Sequence, residues 1–388
     1  MPRIHCMNNI SKKGTDRLPD NYSLTDNLEE AEGILVRSAK LHDTEFPKDL
    51  LAIARAGAGV NNIPLDRCAE SGIVVFNTPG ANANAVKELI ICCMLLGSRG
   101  IIAGNQWIRD NAADPDIAKT VEKAKKEFAG REIMGKKLGV IGLGAIGALV
   151  ANAAEELGMD VYGYDPYVSV NAAWRISSSV HHVTNLDDIC ATCDYITIHV
   201  PALESTIGMI DAHQIALMKS SAVLLNFSRD TLCDQDALAD ALNNDRLGCY
   251  ITDFVTPQML AAKNAIILPH IGASTAEAEE NCAVMAVNEI VDYIENGNIA
   301  NSVNYPACDM GPAPAEGSRI AFLHKNVPGV INTITSFIGA EGVNLANITS
   351  KARGDYAYAM VDLDAALSAD ALEQIATNDE IVRVRVVK

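Results

Sequence analysis

The run Gly142-Leu143-Gly144-Ala145-Ile146-Gly147, with Asp165 eighteen residues beyond it, carries the first recognisable chemistry in this chain. Glycines at this spacing let a chain turn sharply and let its backbone approach a pyrophosphate. A helix that starts inside the run adds free N–H groups and the positive end of its dipole. A carboxylate after the next strand accepts hydrogen bonds from ribose hydroxyls and repels a 2′-phosphate. Pro166 and Tyr167 follow Asp165, not the Arg that would suit a 2′-phosphate. The run therefore predicts a dinucleotide site made by Gly142, Gly144, Ala145, Ile146, Gly147 and Asp165, with NAD preferred over NADP.

The surrounding residues predict the elements that such a site needs. Residues 137–141 read as a short buried strand, 145–157 as an Ala-rich helix and 161–164 as a second strand. Further strands are predicted over 195–200, 222–226, 250–253 and 265–268. Once a nicotinamide is assumed, hydride transfer to or from a carbonyl needs two more groups. One must hold a carboxylate and polarise the carbonyl, and the other must exchange a proton with the oxygen. Arg229 and His270 each follow a predicted strand, where ligands of open α/β sheets gather. A guanidinium offers a planar fork to a carboxylate, and an imidazole exchanges protons near neutral pH.

The formal charge of −18 over 388 residues argues against nucleic acid and against anionic membrane surfaces as partners. An anionic substrate would need local Arg and Lys to overcome that field. No apolar run reaches the roughly 18 residues of a membrane span, and Met1-Pro2-Arg3-Ile4-His5 lacks a signal-peptide layout. Ten cysteines without a paired framework suit a reducing compartment, so a cytoplasmic protein is expected. Cys190 and Cys193 form a C-x-x-C with no second pair; they read as structural, and no metal is expected. The pair His181-His182 lies in a polar connection and receives no role.

The glycine run lies mid-chain, so another domain must precede it. Residues 1–93 show strand signals at 33–37, 51–55 and 72–76. Residues 83–96 read as an apolar helix and 110–129 as a solvated one. The helix predicted over 276–295 would cross back onto the first domain and make it discontinuous. A Pro- and Gly-rich stretch follows, and then the order βαββαβ: strand 319–324, helix 328–341, strands 343–351 and 356–363, helix 365–376, strand 381–387. The expected fold class is α/β, with two Rossmann-like doubly wound domains and a small C-terminal module. The expected boundaries are 1–93 with 275–303 for the substrate domain, 94–274 for the NAD domain, 304–316 for a linker and 317–388 for the module.

The segments Asn226-Phe227-Ser228-Arg229, Asp253 and Pro269-His270-Ile271-Gly272-Ala273-Ser274-Thr275 resemble the D-isomer-specific 2-hydroxyacid dehydrogenases. So do Gly57-Ala58-Gly59-Val60-Asn61-Asn62 and Phe76-Asn77-Thr78-Pro79-Gly80. The resemblance spans essentially the whole chain and implies a homo-oligomeric enzyme, dimer or tetramer. It implies His270 as the acid/base and Arg229 as the carboxylate ligand, helped by the backbone of Ala58, Gly59 and Val60. Asp253 would hold the nicotinamide carboxamide. Val200, Pro201, Thr206, Phe227, Ser228, His270 and Gly272 would line the cofactor. Arg37 and Ser38, with Asn82 and Lys87 on the substrate side, would meet the far end of the substrate. That fits D-3-phosphoglycerate, whose far end is a phosphate. The alternatives on this fold are a reductase of glyoxylate, hydroxypyruvate or another 2-keto acid, and an NAD-sensing binding protein.

Two features depart from or extend that pattern. The family places a Glu between the Arg and the His to orient the imidazole, yet no Glu occurs from Ser205 to Ala276. Gln258 stands nearest the expected position, and Asp230 replaces the Gly that commonly follows the Arg. The last seventy or so residues resemble an ACT domain, a module that binds amino acids. By that resemblance His324, Asn326 and Asn344 would bind L-serine where two such modules pair.

Overall fold

The computed structural model describes residues 1–388, apart from the side chain of Asn171. The chain forms two compact units: Met1–Asn82 with Ala276–Lys388, and Ala83–Thr275. The expected boundary after residue 93 falls inside the helix Ala83–Ser98, all of which belongs to the second unit.

The first unit begins with a sheet of five parallel strands: β1 (Arg3–Cys6), β2 (Ser23–Thr25), β3 (Gly33–Val36), β4 (Ala52–Arg55) and β5 (Val74–Asn77). Their order is β2-β1-β3-β4-β5. β3 (Gly-Ile-Leu-Val) is buried at every position, as a parallel strand covered on both faces must be. The helix Ala276–Asn296 returns from the second unit and lays Ala283, Ala286, Val287 and Ile290 on this sheet. The first unit is therefore built from two segments of the chain.

The second unit is built on seven parallel strands: β6 (Lys137–Ile141), β7 (Asp160–Tyr164), β8 (His181–His182), β9 (Tyr195–Ile198), β10 (Val223–Asn226), β11 (Cys249–Thr252) and β12 (Ala265–Ile267). The order β12-β11-β10-β9-β6-β7-β8 reverses direction between β6 and β9. Such a switch point opens a crevice at the carboxyl ends of the strands. His181-His182, expected in a connection, forms the short edge strand. The single helix expected over 110–129 is instead Ile101–Asp110, a turn, then Ile117–Ala124 and a 3₁₀ turn. Pro115 lies in that turn and lacks the N–H a helix interior needs. Asp114 closes it, accepting from Asp116 N at 2.8 Å and from Thr120 Oγ1 at 2.7 Å.

The C-terminal residues add an antiparallel sheet of β13 (Ser318–Lys325), β14 (Leu345–Arg353), β15 (Tyr356–Leu363) and β16 (Ile381–Val386), in the order β14-β15-β13-β16. Alternation along β13 covers both faces. Ile320 and Phe322 pack with the helices Val330–Ala340 and Ala369–Ala376. Ala321 and Leu323 join Tyr293, Ile299, Tyr305 and Cys308 of the preceding chain. Arg319 is 1% exposed. It reaches Asp362 with Nε at 2.7 Å and Nη2 at 2.9 Å, and its Nη1 donates to the carbonyls of Asn296 and Gly311. The stretch expected as a linker is thus tied down: Asn298 Oδ1 accepts from Met310 N, and Asn296 Oδ1 accepts from Ala313 N.

Candidate active site

In the second unit, the glycine turn follows β6. Gly142 has φ +90°, and a Cβ there would lie 2.8 Å from the His199 carbonyl. Gly147 is closed to any side chain by the Gly142 carbonyl. Gly144, at the N-cap of the helix Ala145–Glu156, has open space where a Cβ would stand. These three environments are what a pyrophosphate cradle requires: a turn, an open approach and tight helix packing. Asp165, at the end of β7, accepts from Leu143 N at 2.8 Å and from Tyr167 N at 2.9 Å. The acid and the glycine turn therefore form one piece. After β9, Thr206 Oγ1 donates to Pro201 O at 2.6 Å and accepts from Leu203 N at 2.8 Å, closing the loop that begins at Val200.

The three chemical groups stand after three neighbouring strands. Arg229 follows β10, Asp253 follows β11 and His270 follows β12. Asn226, fully buried, fixes the first of these turns: its Nδ2 donates to Arg229 O at 2.8 Å, and its Oδ1 accepts from Ser228 N at 3.1 Å. Ser228 Oγ donates to Ile198 O, and the Arg229 guanidinium stays exposed. Asp253 is 3% exposed. Burial raises the pKa of its carboxyl, while Gly272 N–H, His270 and Arg229 pull it down. Its Oδ2 accepts from Gly272 N at 3.0 Å, and its Oδ1 has no partner among the described residues. A buried acceptor left open suits the N–H of a carboxamide, so these residues fit the cofactor that the glycine turn implies.

His270 is one of three non-glycine residues with positive φ, at 54°. Its N–H donates to Leu268 O at 3.0 Å, and its exposed ring meets Phe254 edge-on at 5.1 Å. Among the described residues no carboxylate forms an ion pair with it. Gln258 does not stand in for the missing Glu, because its Nε2 donates to Asp236 Oδ1 at 3.1 Å. Thr256 caps the helix Pro257–Ala261, accepting from Met259 N. Lys87 donates to Asn84 Oδ1, one turn back on its own helix, at 2.6 Å.

In the first unit, the loop after β4 is held by its carbonyls. Gly57 O accepts from Thr78 N at 3.2 Å, Ala58 O from Asn77 Nδ2 at 2.6 Å, and Gly59 O from Arg55. In planar trans peptides the N–H groups of Ala58, Gly59 and Val60 point away from those carbonyls. After β3, the N–H groups of Arg37, Ser38 and Ala39 converge on Asn8 Oδ1, each at 3.0 Å. Arg37 forms an ion pair with Glu279 at 2.6 Å. Asn82 ends the first segment of this unit. Sequence reasoning missed Asn8, Arg55 and Asn77 as supports. Only Arg55, a cation two residues before Gly57, carried a signal.

In the C-terminal module, His324 is buried; its Nδ1 lies 2.8 Å from Lys325 O and its Nε2 is without a partner among the described residues. Burial lowers its pKa. Asn326 Nδ2 donates to Gly354 O at 3.0 Å. Asn344 lies at the other end of the sheet. Leu345 and Ser318 both pair with Leu363, whereas Lys325 and Arg353 both pair with Tyr356. At ~3.3 Å per residue that separation is about 20 Å. One chain therefore does not bring Asn344 to His324 and Asn326.

Residues 91–272 match the NAD-binding domain of the D-isomer specific 2-hydroxyacid dehydrogenases, and residues 318–379 match the ACT domain. The D-3-phosphoglycerate dehydrogenase of Haemophilus influenzae is 31% identical over 88% of this chain and 82% of its own. That of Escherichia coli K12 is 33% identical over 89% and 84%. Among solved structures, the NAD+-bound 3-phosphoglycerate dehydrogenase of Entamoeba histolytica is 25% identical, with a TM-score of 0.61 over 78% of this chain and 98% of that one. A glyoxylate/hydroxypyruvate reductase from Sinorhizobium meliloti shares the fold at 22% identity and a TM-score of 0.64, over 78% and 98%. The chain belongs to the D-isomer-specific 2-hydroxyacid dehydrogenase family. It is an NAD-dependent dehydrogenase with a C-terminal ACT domain, most of whose length is shared with phosphoglycerate dehydrogenases.

Proposed function

We propose that this enzyme oxidises D-3-phosphoglycerate to 3-phosphohydroxypyruvate, the first step toward L-serine. The observation that carries the reading is the succession Arg229, Asp253 and His270 at the ends of β10, β11 and β12, in the unit that also carries the glycine turn. Arg229 holds the substrate carboxylate through its planar fork, and the N–H row of Ala58 to Val60 supplies further donors. An imidazole nitrogen of His270 takes the proton of the C2 hydroxyl on oxidation and returns it on reduction. Asp253 orients the cofactor by accepting a carboxamide N–H at its open Oδ1. The glycine turn, Asp165 and Asp253 would hold NAD, which would supply the acceptor for the C2 hydride. Arg37 and Ser38 meet the phosphate.

The ACT module carries serine feedback, through His324 and Asn326 of one chain and Asn344 of a second copy. The separation of these residues within one chain supports a homo-oligomer, and the chemistry of the substrate suits the cytoplasm. A second reading, reduction of an unphosphorylated 2-keto acid, draws on the Arg37–Glu279 pair, which occupies the cation meant for the phosphate. NAD-linked assays with D-3-phosphoglycerate, D-glycerate and D-lactate side by side separate the two. D-3-phosphoglycerate should have the highest kcat/KM, and a higher value for either of the others would reject the proposal. His270→Asn should lower turnover by ~10²-fold or more while NADH still binds.

A further inference from the structure

Arg37 is held by its backbone and contested at its side chain. Its N–H donates to Asn8 Oδ1 and its carbonyl accepts from Arg55 Nε at 3.0 Å, so the stem is fixed while the guanidinium can turn. That guanidinium lies 2.6 Å from Glu279 Oε1, with the two side chains 42% and 44% exposed. Glu279 stands in the first turn of the helix Ala276–Asn296, where the helix dipole favours a carboxylate. Its neighbour Glu280 is engaged by Lys13 at 2.5 Å. The chain passes from one unit to the other where this helix begins.

We infer that Glu279 is a specificity-determining residue, an internal anion that any substrate with an anionic far end must displace from Arg37. The inference rests on the proposal that Arg37 meets the far end of the substrate. A distal carboxylate exchanges one monoanion for another at Arg37 and gains little. A phosphate brings a second charge and more acceptor oxygens, so only it wins the exchange clearly. A neutral hydroxymethyl end leaves the pair intact. Glu279 thereby sets a threshold that a phosphate clears and a carboxylate barely meets, in exchange for weaker binding of every substrate with an anionic far end.

The test measures KM and kcat of wild type, Glu279→Gln, Arg37→Gln and the double variant. The substrates are D-3-phosphoglycerate, D-2-hydroxyglutarate and D-glycerate. A half-exposed ion pair sets the scale: Glu279→Gln should lower KM for D-3-phosphoglycerate roughly two- to fivefold with little change in kcat. It should lower KM for D-2-hydroxyglutarate by a similar factor, because both anions displace the same pair, and leave D-glycerate within about twofold. In the Arg37→Gln background, Glu279→Gln should change nothing, because the two act through one contact. If Arg37→Gln raises KM for D-3-phosphoglycerate but Glu279→Gln leaves KM for both far-end anions unchanged, the inference fails alone. An equal effect on all three substrates overturns it as well. If Arg37→Gln leaves KM for D-3-phosphoglycerate unchanged, the role of Arg37 in the proposed function fails and the inference falls with it.

Discussion

Glu289 sits on the buried face of the helix Ala276–Asn296 and is 8% exposed. Its Oε1 accepts from Asn301 Nδ2 at 2.7 Å, and its Oε2 has no partner among the described residues. Burial lifts its pKa from the ordinary 4.5 to about 7, and the Asn301 hydrogen bond offsets only part of that. The folded state thus holds its proton more tightly than the unfolded chain. Between pH 4.5 and 7 the folded protein binds more protons, so stability falls as pH rises through that window. At ~1.4 kcal/mol per pKa unit, the full displacement amounts to about 3.5 kcal/mol above pH 7, of which roughly 2–3 kcal/mol develops between pH 5 and pH 8. Glu289→Gln removes the titration and keeps an acceptor for Asn301. The stability of the variant relative to wild type should therefore grow by roughly 2–3 kcal/mol between pH 5 and pH 8. Any constant offset from repacking cancels in that comparison. For a unit of this size the growth corresponds to a relative rise in Tm of roughly 5–10 °C. Thermal scans at four pH values across the range measure it. A Tm difference that stays flat from pH 5 to pH 8 would refute the reasoning.

Four further outcomes are expected. Arg229→Lys keeps the charge but loses the fork, so kcat/KM should fall by at least ~10-fold, as measured by steady-state kinetics. Gly147→Ala drives a Cβ into the Gly142 carbonyl and should weaken NADH binding by roughly tenfold, read by fluorescence titration. Phe254→Ala removes the ring against His270 and should lower kcat by several-fold to ~10-fold with NADH affinity retained; an unchanged kcat would show that the backbone alone orients the imidazole. L-serine should inhibit wild type, and Asn344→Ala should weaken that inhibition by at least ~10-fold in the dose–response curve while leaving kcat intact.

The parallel sheets were legible because their central strands are continuous apolar runs bounded by turn residues, as in Val223–Asn226 and Gly33–Val36. The opening strands Arg3–Cys6 and Ser23–Thr25 carry no such run and went unread. The break after Asp110 followed from Pro115, whose effect the charged pattern around it hid. The positions of Arg229, Asp253 and His270 were legible because each follows a strand within three residues. Their supports were not. Asn226 reaches Arg229 through a side chain that could equally have faced a core, and Asn77 and Arg55 serve a loop distant from one and adjacent to the other in sequence. The C-terminal module looked separable, since nothing in its sequence marks Arg319 as a fully buried cation tied to the chain before it.

The missing Glu shows how sequence and structure divide the problem. Its absence was plain from residues 205 to 276, but what replaces its effect is a matter of geometry. A carboxylate orients an imidazole by accepting its N–H. Here the connection from β11 to β12 is short and places no acid in an ion pair with His270 among the described residues. Two other restraints act on the ring. The backbone of His270 is set at φ 54°, a conformation that non-glycine residues hold only when their surroundings impose it. The edge of Phe254 then limits where the ring can turn. The nearby carboxyl that remains, on Asp253, is engaged by Gly272 N–H at one oxygen and open at the other. It feels His270 through its charge rather than through a hydrogen bond. The site thus keeps one acid beside Arg229 and His270, and in the proposed function its free oxygen serves the cofactor. Orientation of the proposed acid/base is left to backbone and packing.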